Sequence, residues 1–322
     1  MSHVTVVGGG LGAAKILVGL VEILPEDEIH AVIHVGDDAE VWGLRTSPDI
    51  DRVLLALAGE LDPGHEWRRH GESHQCFSMA RKLGMKASVQ VGDRDLATHL
   101  LRTGWLRSGS NLEEVTSQLA ERFGVGVNVI PATSDPVRTW VEAADGETAP
   151  RVTPSEATPS NPMPVSAPIR YEGADQAMAS ARAVASIMQA SRVILAPSDP
   201  VRVWDAMLAI PGLRDAIRRT KAVKIAISPI AGSQPLTGDG AELERLMKAT
   251  GSAQVSVADL ATRYRDVLGD LVIHTTDVDA LDAVRAAGVG AWAENILIGN
   301  PEDAARLARR LVSQERGMSG AG

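Results

Sequence analysis

Val4 to Asp38 reads VTVVGGGLGAAKILVGLVEILPEDEIHAVIHVGDD. The β-branched run Val4–Val7 stops at Gly8-Gly9-Gly10, and Ala13 to Leu24 then sets apolar residues at helical spacing as far as Pro25. A second apolar run, Ile29–Val35, ends in Gly36-Asp37-Asp38. Strand, glycine turn, helix and strand make a βαβ unit, whose crossover requires a parallel pair. Further along, Arg192–Ala196 closes in Pro197-Ser198-Asp199-Pro200 and Ala222–Ile227 closes in Ser228-Pro229-Ile230, with helical sequence between them. The expected fold class is therefore α/β: a Rossmann-like, doubly wound, mainly parallel sheet with a helical insert. Ligands of such sheets bind beyond the carboxyl ends of the strands.

Residues 1–50 and 170–316 are expected to form the sheet core. Residues 51–147 read as a mainly helical insert, with apolar periodicity through Val53–Leu57, Phe77–Leu83, Leu96–Leu106 and Leu112–Phe123. Residues 148–168 hold Pro150, Pro154, Pro159, Pro162, Pro164 and Pro168 among Ser, Thr and Ala, which predicts an exposed, flexible segment. Gly317–Gly322 should fray.

The 322 residues are 44% hydrophobic and 23% charged, which excludes disordered and fibrous classes. Lys and Arg total 32 against 41 for Asp and Glu, a net charge of -9. Phosphate backbones are held by clustered cations, so a nucleic-acid partner is not expected. The single cysteine, Cys76, cannot form an internal disulfide, and no Cys/His grouping has structural-zinc spacing. No signal-peptide layout opens the chain and no apolar run is long enough to span a bilayer, so no membrane association and a reducing, cytoplasmic setting are expected.

Gly8, Gly9, Gly10, Leu11 and Gly12 lie where the first strand hands over to the first helix, where free amides can face a phosphate or pyrophosphate. Asp37, Asp38, Asp49 and Asp51 crowd close behind. Such carboxylates repel unless a cation or donor pairs them, and magnesium suits one or two carboxylates plus phosphate oxygens. Asp49 fits a helix cap equally well, and a dinucleotide reading would place Asp37 on a ribose hydroxyl of NAD. Asp93, Arg94, Asp95 and His99 form a third cluster: with Asp93 as N-cap, Asp95 and His99 share a helix face, and Arg94 offers its fork to a phosphate. Ser198, Asp199 and Ser228 occupy the two later strand-end turns, suited to a nucleotide. His65, His70 and His74 flank Trp67 in an expected surface loop. Neither a hydrolase nucleophile elbow nor a Walker lysine motif is present.

These blocks in this order resemble the 2-phospho-L-lactate transferase family of coenzyme F420 biosynthesis (CofD in archaea, FbiA in actinobacteria). The resemblance rests on VTVVGGGLGAAKIL, HVGDDAEVWGLRTSPDIDRVL, VGDRDLATHLLR, NVIPATSDPVRTWVE, VILAPSDPVRVWDAMLAIPGLRDAI and KIAISPIAGSQPLTG. It implies transfer of a phospholactyl, phosphoenolpyruvyl or related group from a guanosine diphosphate-activated donor to the ribityl hydroxyl of a deazaflavin. GMP would be released, in a magnesium-dependent homodimer. It further implies that Gly8–Gly12 hold the donor phosphates, that Asp37, with Asp38, ligates the metal, and that Asp51 contacts the acceptor. Two departures stand out. Asp199 replaces the family's Asn, and residues 148–168 replace its aromatic, His-containing string, which leaves a nucleotide-sugar-binding regulatory protein of the YvcK type as the alternative.

Overall fold

The structure, a computed structural model, describes residues 3–62, 65–86, 89–143, 148–150, 165–238 and 240–313. Strand β1 (Val4–Gly8) is buried throughout, as a strand with neighbours on both sides must be. Helix α1 (Gly10–Val21) leads to β2 (Ile29–Ile33), then the hairpin β3 (Ala39–Val41) and β4 (Leu44–Thr46). Helix α2 (Pro48–Leu57) starts with proline in its first turn beside Asp49 and Asp51, the charges that suit the positive end of a helix. The insert continues through β5 (Leu61–Asp62), β6 (His65–Arg69), α3 (Gln75–Lys82), α4 (Asp93–Arg107) and α5 (Leu112–Arg122). Asn111 and Glu114 start α5 with a capping box. Next come β7 (Asn128–Pro131), β8 (Arg138–Ala143), β9 (Thr148–Pro150) and β10 (Val165–Glu172). The second half holds α6 (Ala181–Gln189), β11 (Arg192–Leu195), a π-turn at Pro200–Asp205, α7 (Ala206–Leu208), α8 (Leu213–Arg219) and β12 (Val223–Ile227). The hairpin β13 (Ile230–Ala231) and β14 (Gln234–Pro235) precedes α9 (Gly240–Ala249), α10 (Val257–Tyr264), β15 (Asp270–His274), α11 (Leu281–Ala286), β16 (Gly290–Glu294) and α12 (Pro301–Ser313).

Seven strands form one parallel sheet in the order β16-β15-β12-β11-β1-β2-β7. The chain winds outward from β1 through β2 to β7, returns to β11 on the other side of β1, and winds outward again. The doubly wound α/β expectation therefore holds, and the switch point lies between β1 and β11. Helix α1 packs on α2 and α12, and α2 on α5, whereas α6 packs on α8 and α10 on α11. Right-handed crossovers place these two groups on opposite faces of the sheet. The first helix begins at Gly10 and not Ala13, because the glycine turn is its first turn.

The range read as a helical insert contributes β7 to the central sheet, next to β2. His65 lies in β6 and not in a loop, paired with Asp62. The proline-rich stretch enters and leaves in β9 and β10, which flank β8 in a small antiparallel sheet. Its centre, 151–164, and the tail expected to fray lie outside the described residues. Among the described residues no helix is long and apolar enough to cross a membrane.

Candidate functional site

The switch point is locked by one hydroxyl. Ser198 Oγ accepts from the Gly9 amide at 3.0 Å and donates to the Gly9 carbonyl at 2.9 Å, joining the ends of β1 and β11. A Cβ on Gly12 would stand 2.4 Å from the Pro197 carbonyl oxygen, so only glycine lets α1 start this close to the β11 turn. Helix α1 has no side-chain cap at its N-terminus. Its first amides are thus presented beyond the strand ends, the arrangement that binds anions.

Facing this bend is a cluster of acids. Asp49, in the first turn of α2, comes within 3.0 Å of where a Cβ of Gly9 would be. His34, just past β2 and 1% exposed, holds Asp49 through Nδ1–H to Oδ2 at 2.7 Å and accepts the Gly36 amide on Nε2 at 3.1 Å. Burial opposes a charge on His34, but the Asp49 bond and the carboxylates of Asp37 and Asp38 outweigh it and raise its pKa. The Gly36 amide pulls the other way, since it needs the Nε2 lone pair. The tautomer protonated on Nδ1 satisfies both bonds.

Asp37 is buried, and one ligand atom each from His34, Asp37 and Asp49 lies within 4.8 Å of the others. Asp38 accepts from Ser47 Oγ at 2.7 Å. Burial lifts the Asp38 carboxyl to about 7, against the lowering pull of Ser47, Arg102 and Arg45. A small cavity of about 50 Å³ adjoins Asp38 and Ser47, lined also by Arg45, Asp135 and Arg138.

The insert closes the acidic side. Arg102 of α4, 1% exposed, grips both oxygens of Asp51: Nη1 to Oδ2 at 2.9 Å, and Nη2 to Oδ1. His99 does not pair with Asp95, as its spacing predicts. Its Nδ1 lies 3.4 Å from Arg102 Nη1 and 3.8 Å from Asp51 Oδ2, because the Asp51–Arg102 pair draws that helix face toward α2. Burial lowers the His99 pKa to about 4, so the ring is neutral at physiological pH. Asp95 is raised to about 6, first by burial and then by Glu72 and Asp51, with Arg52 and Arg69 opposing.

Other expected residues are engaged differently. The N-cap of α4 is Gly92, not Asp93. The Asp93 carboxylate instead accepts from Ser73 Oγ at 2.5 Å and from the Gln75 and Cys76 amides at 2.9 Å, capping α3, because the chain before α3 folds back onto it. These bonds, Ser73 foremost, lower its pKa. Arg94 is exposed and donates to the His70 carbonyl at 2.9 Å. Asp199 caps the π-turn, accepting from the Val201 and Arg202 amides at 2.9 and 2.8 Å. Ser228 is buried in its own turn, donating to the Ile230 carbonyl at 2.7 Å. The fold thus gathers Gly8–Gly12, Asp37, Asp38, Asp49, Asp51, His99 and Ser198, while Asp93, Arg94, Asp199 and Ser228 are spent on loop and helix ends.

Sequence reasoning missed His34, Ser47, Arg45, Arg102 and Arg138. Only His34 carried a local signal, a histidine closing an apolar strand just before GDD. A second, mainly apolar cleft of about 400 Å³ runs along α1 past Leu11, Lys15 and Val18 to Leu61, Ile298 and Pro301, sharing only Leu11 with this site. Trp42, in the β3–β4 turn, stacks on Phe77 of α3 with ring centroids 5.8 Å apart.

Comparison with known proteins identifies the family and the fold. The family described as 2-phospho-L-lactate transferase CofD matches residues 4–295. A phosphoenolpyruvate transferase of Nocardia farcinica is 34% identical over 96% of this chain and 94% of its own length. A 2-phospho-L-lactate transferase of Methanococcoides burtonii is 30% identical over 95% of this chain and 97% of its own. The crystal structure of a UPF0052-family protein of Bacillus halodurans superposes with a TM-score of 0.60, over 97% of this chain and 99% of that one. At 18% identity, that likeness shows the shared fold alone.

Proposed function

The chain belongs to the 2-phospho-L-lactate transferase CofD family and is a transferase, and from that premise we propose its reaction. The enzyme moves a phospholactyl, phosphoenolpyruvyl or related group from a guanosine diphosphate-activated donor to the ribityl hydroxyl of a deazaflavin, in coenzyme F420 biosynthesis. The acceptor oxygen bonds to the phosphorus that carries the organic group. The bridging P–O bond breaks, GMP leaves with the bridging oxygen, and the hydroxyl proton is lost. One observation carries the reading: uncapped backbone amides and a ring of acids meet at the sheet's switch point.

The residues present fit a magnesium ion. Both nitrogens of His34 are already bonded, which leaves the oxygens of Asp37, Asp38 and Asp49, the hard donors that magnesium takes. The Asp38 carboxyl, held near 7 by burial, is the kind of acid that a nearby cation would return to its charged form. When bound, magnesium supplies charge neutralisation across the two linked phosphates. The first amides of α1, Gly10–Gly12, would cradle the same phosphates, the Gly9 amide being held by Ser198. Phosphoryl transfer needs positioning more than covalent help, and in this reading Asp51, held by Arg102, accepts a hydrogen bond from the attacking hydroxyl. The Trp42–Phe77 stack, between the β3–β4 turn and α3, would offer a tricyclic acceptor an aromatic surface.

The test is GMP release from purified protein, donor, deazaflavin and magnesium. Asp37→Ala should abolish release at saturating donor. Tight binding of a nucleotide sugar with no GMP released would refute the transfer and favour the regulatory alternative.

A further inference from the structure

His34 lies among the groups that could hold a metal, yet its bonds argue for a different task. The imidazole is 1% exposed, and each nitrogen already has a partner: Nδ1–H on Asp49 Oδ2 at 2.7 Å, Nε2 under the Gly36 amide at 3.1 Å. Its Cβ side packs on the glycine bend, 3.0 Å from where a Cβ of Gly9 would stand. One side chain therefore meets three parts that come from separate elements: its Cβ the end of β1, and its ring the turn after β2 and the first turn of α2.

We infer that His34 is a positioning residue that braces the Asp49 carboxylate against the Gly9 bend, and not itself a metal ligand. The inference rests on the proposed function for the identity of the ion and donor, but not for the brace. A ring donating to a carboxylate fixes which oxygens face the cleft. Loss of such outer partners costs a metal site roughly 10–100-fold in affinity. Asn at position 34 keeps a donor near the Nδ1 position, whereas Leu keeps volume and loses both bonds. Gly36→Ala perturbs the same ring without replacing it, because its Cβ would sit 2.4 Å from His34 Nε2.

Two measurements on the full chain test the brace. The first is the nitrogen NMR spectrum of the labelled histidines. His34 should be protonated on Nδ1 alone, and Asp49→Ala should abolish that preference; a His34 protonated on Nε2 overturns the inference. The second is titration with Mn2+ as probe, followed by its paramagnetic resonance. His34→Asn should bind within about threefold of the wild type, and His34→Leu should bind about tenfold or more weakly. Equal weakening in Asn and Leu would make the ring a ligand, and no weakening in Leu would make it irrelevant; either overturns the inference. Should His34→Leu fail to fold, Gly36→Ala takes its place, with the same loss expected and unaltered binding counting against the brace. A wild type that binds no Mn2+ but shows the Nδ1 tautomer would sink the metal reading and leave the brace standing.

Discussion

Replacing Arg102 with Met should destabilise the protein by about 3 kcal/mol. The guanidinium is 1% exposed and spans both oxygens of Asp51. Met fills much the same volume but leaves the Asp51 carboxylate, itself 14% accessible, without its two-pronged partner and beside a neutral His99, with only the more distant charge of Arg52 to offset it. Stranding one partner of a buried pair costs about 3–5 kcal/mol, and the slight solvent access of Asp51 favours the lower end. With an unfolding entropy of about 2.1 cal/mol/K per residue and the 322 residues of the chain, the loss corresponds to a fall in Tm of roughly 4–5 °C. Scanning calorimetry and urea denaturation both read it. The double variant Arg102→Met with Asp51→Asn should recover part of the loss, because no charge is then stranded, with a coupling of about 1–3 kcal/mol. A single-variant loss below about 1 kcal/mol, or double-variant additivity within about 0.5 kcal/mol, would mean the pair behaves like a surface contact. That outcome would also remove the reason for treating Asp51 as fixed.

Three further outcomes are expected. Asp95 is raised to about 6 in the fold, above its ordinary 3.8, so the folded state binds its proton more tightly than the unfolded state between those values. Stability from this group therefore falls as pH rises from about 4 to 6. Asp95→Asn should gain about 1–3 kcal/mol over the wild type at pH 7.5 and nothing below about pH 4; urea midpoints at both pH values that move together would refute the burial argument. Gly12→Ala forces its Cβ against the Pro197 carbonyl and should cost about 1–3 kcal/mol together with donor affinity, read by thermal shift with and without a guanosine diphosphate ligand; an unshifted Tm would refute the close approach. Ser198→Ala removes both hydrogen bonds to the Gly9 backbone and should raise the donor KM while leaving the acceptor KM unchanged in steady-state kinetics; equal changes in both would refute its assignment to the phosphate bend.

The parts of the fold legible in the sequence are those whose signal is local. Val4–Val7, the glycine run and Ile29–Val35 carry periodicity and punctuation within thirty-odd positions, and they do form β1, α1 and β2. Strand β7 escaped because four residues after a helix carry almost no period of their own. Strand β16 escaped because, at the sheet edge, each of its residues is only half-buried and the apolar run is diluted. In the site, the place of Asp37 directly after a strand is a local signal, whereas Asp49 at a helix start reads equally well as a cap and its bond to His34 is not visible in the sequence. Arg102 was not readable, since its partner Asp51 lies 51 positions away and no spacing rule links them. Asp93 was misread as a cap of its own helix because the chain fold that brings Gln75 and Cys76 to it is a tertiary event.

The Ser198–Gly9 bond closes a loop of 189 residues, and β1 itself sits between strands from the two halves of the chain. During synthesis the amino-terminal bend is therefore left without its neighbour until more than half of the polypeptide has emerged. Non-local closure of this kind is slow relative to hairpins and helices. A nascent chain halted before β11 should bind no phosphate ligand, whereas ligand added to refolding protein should pull the last docking event forward by mass action.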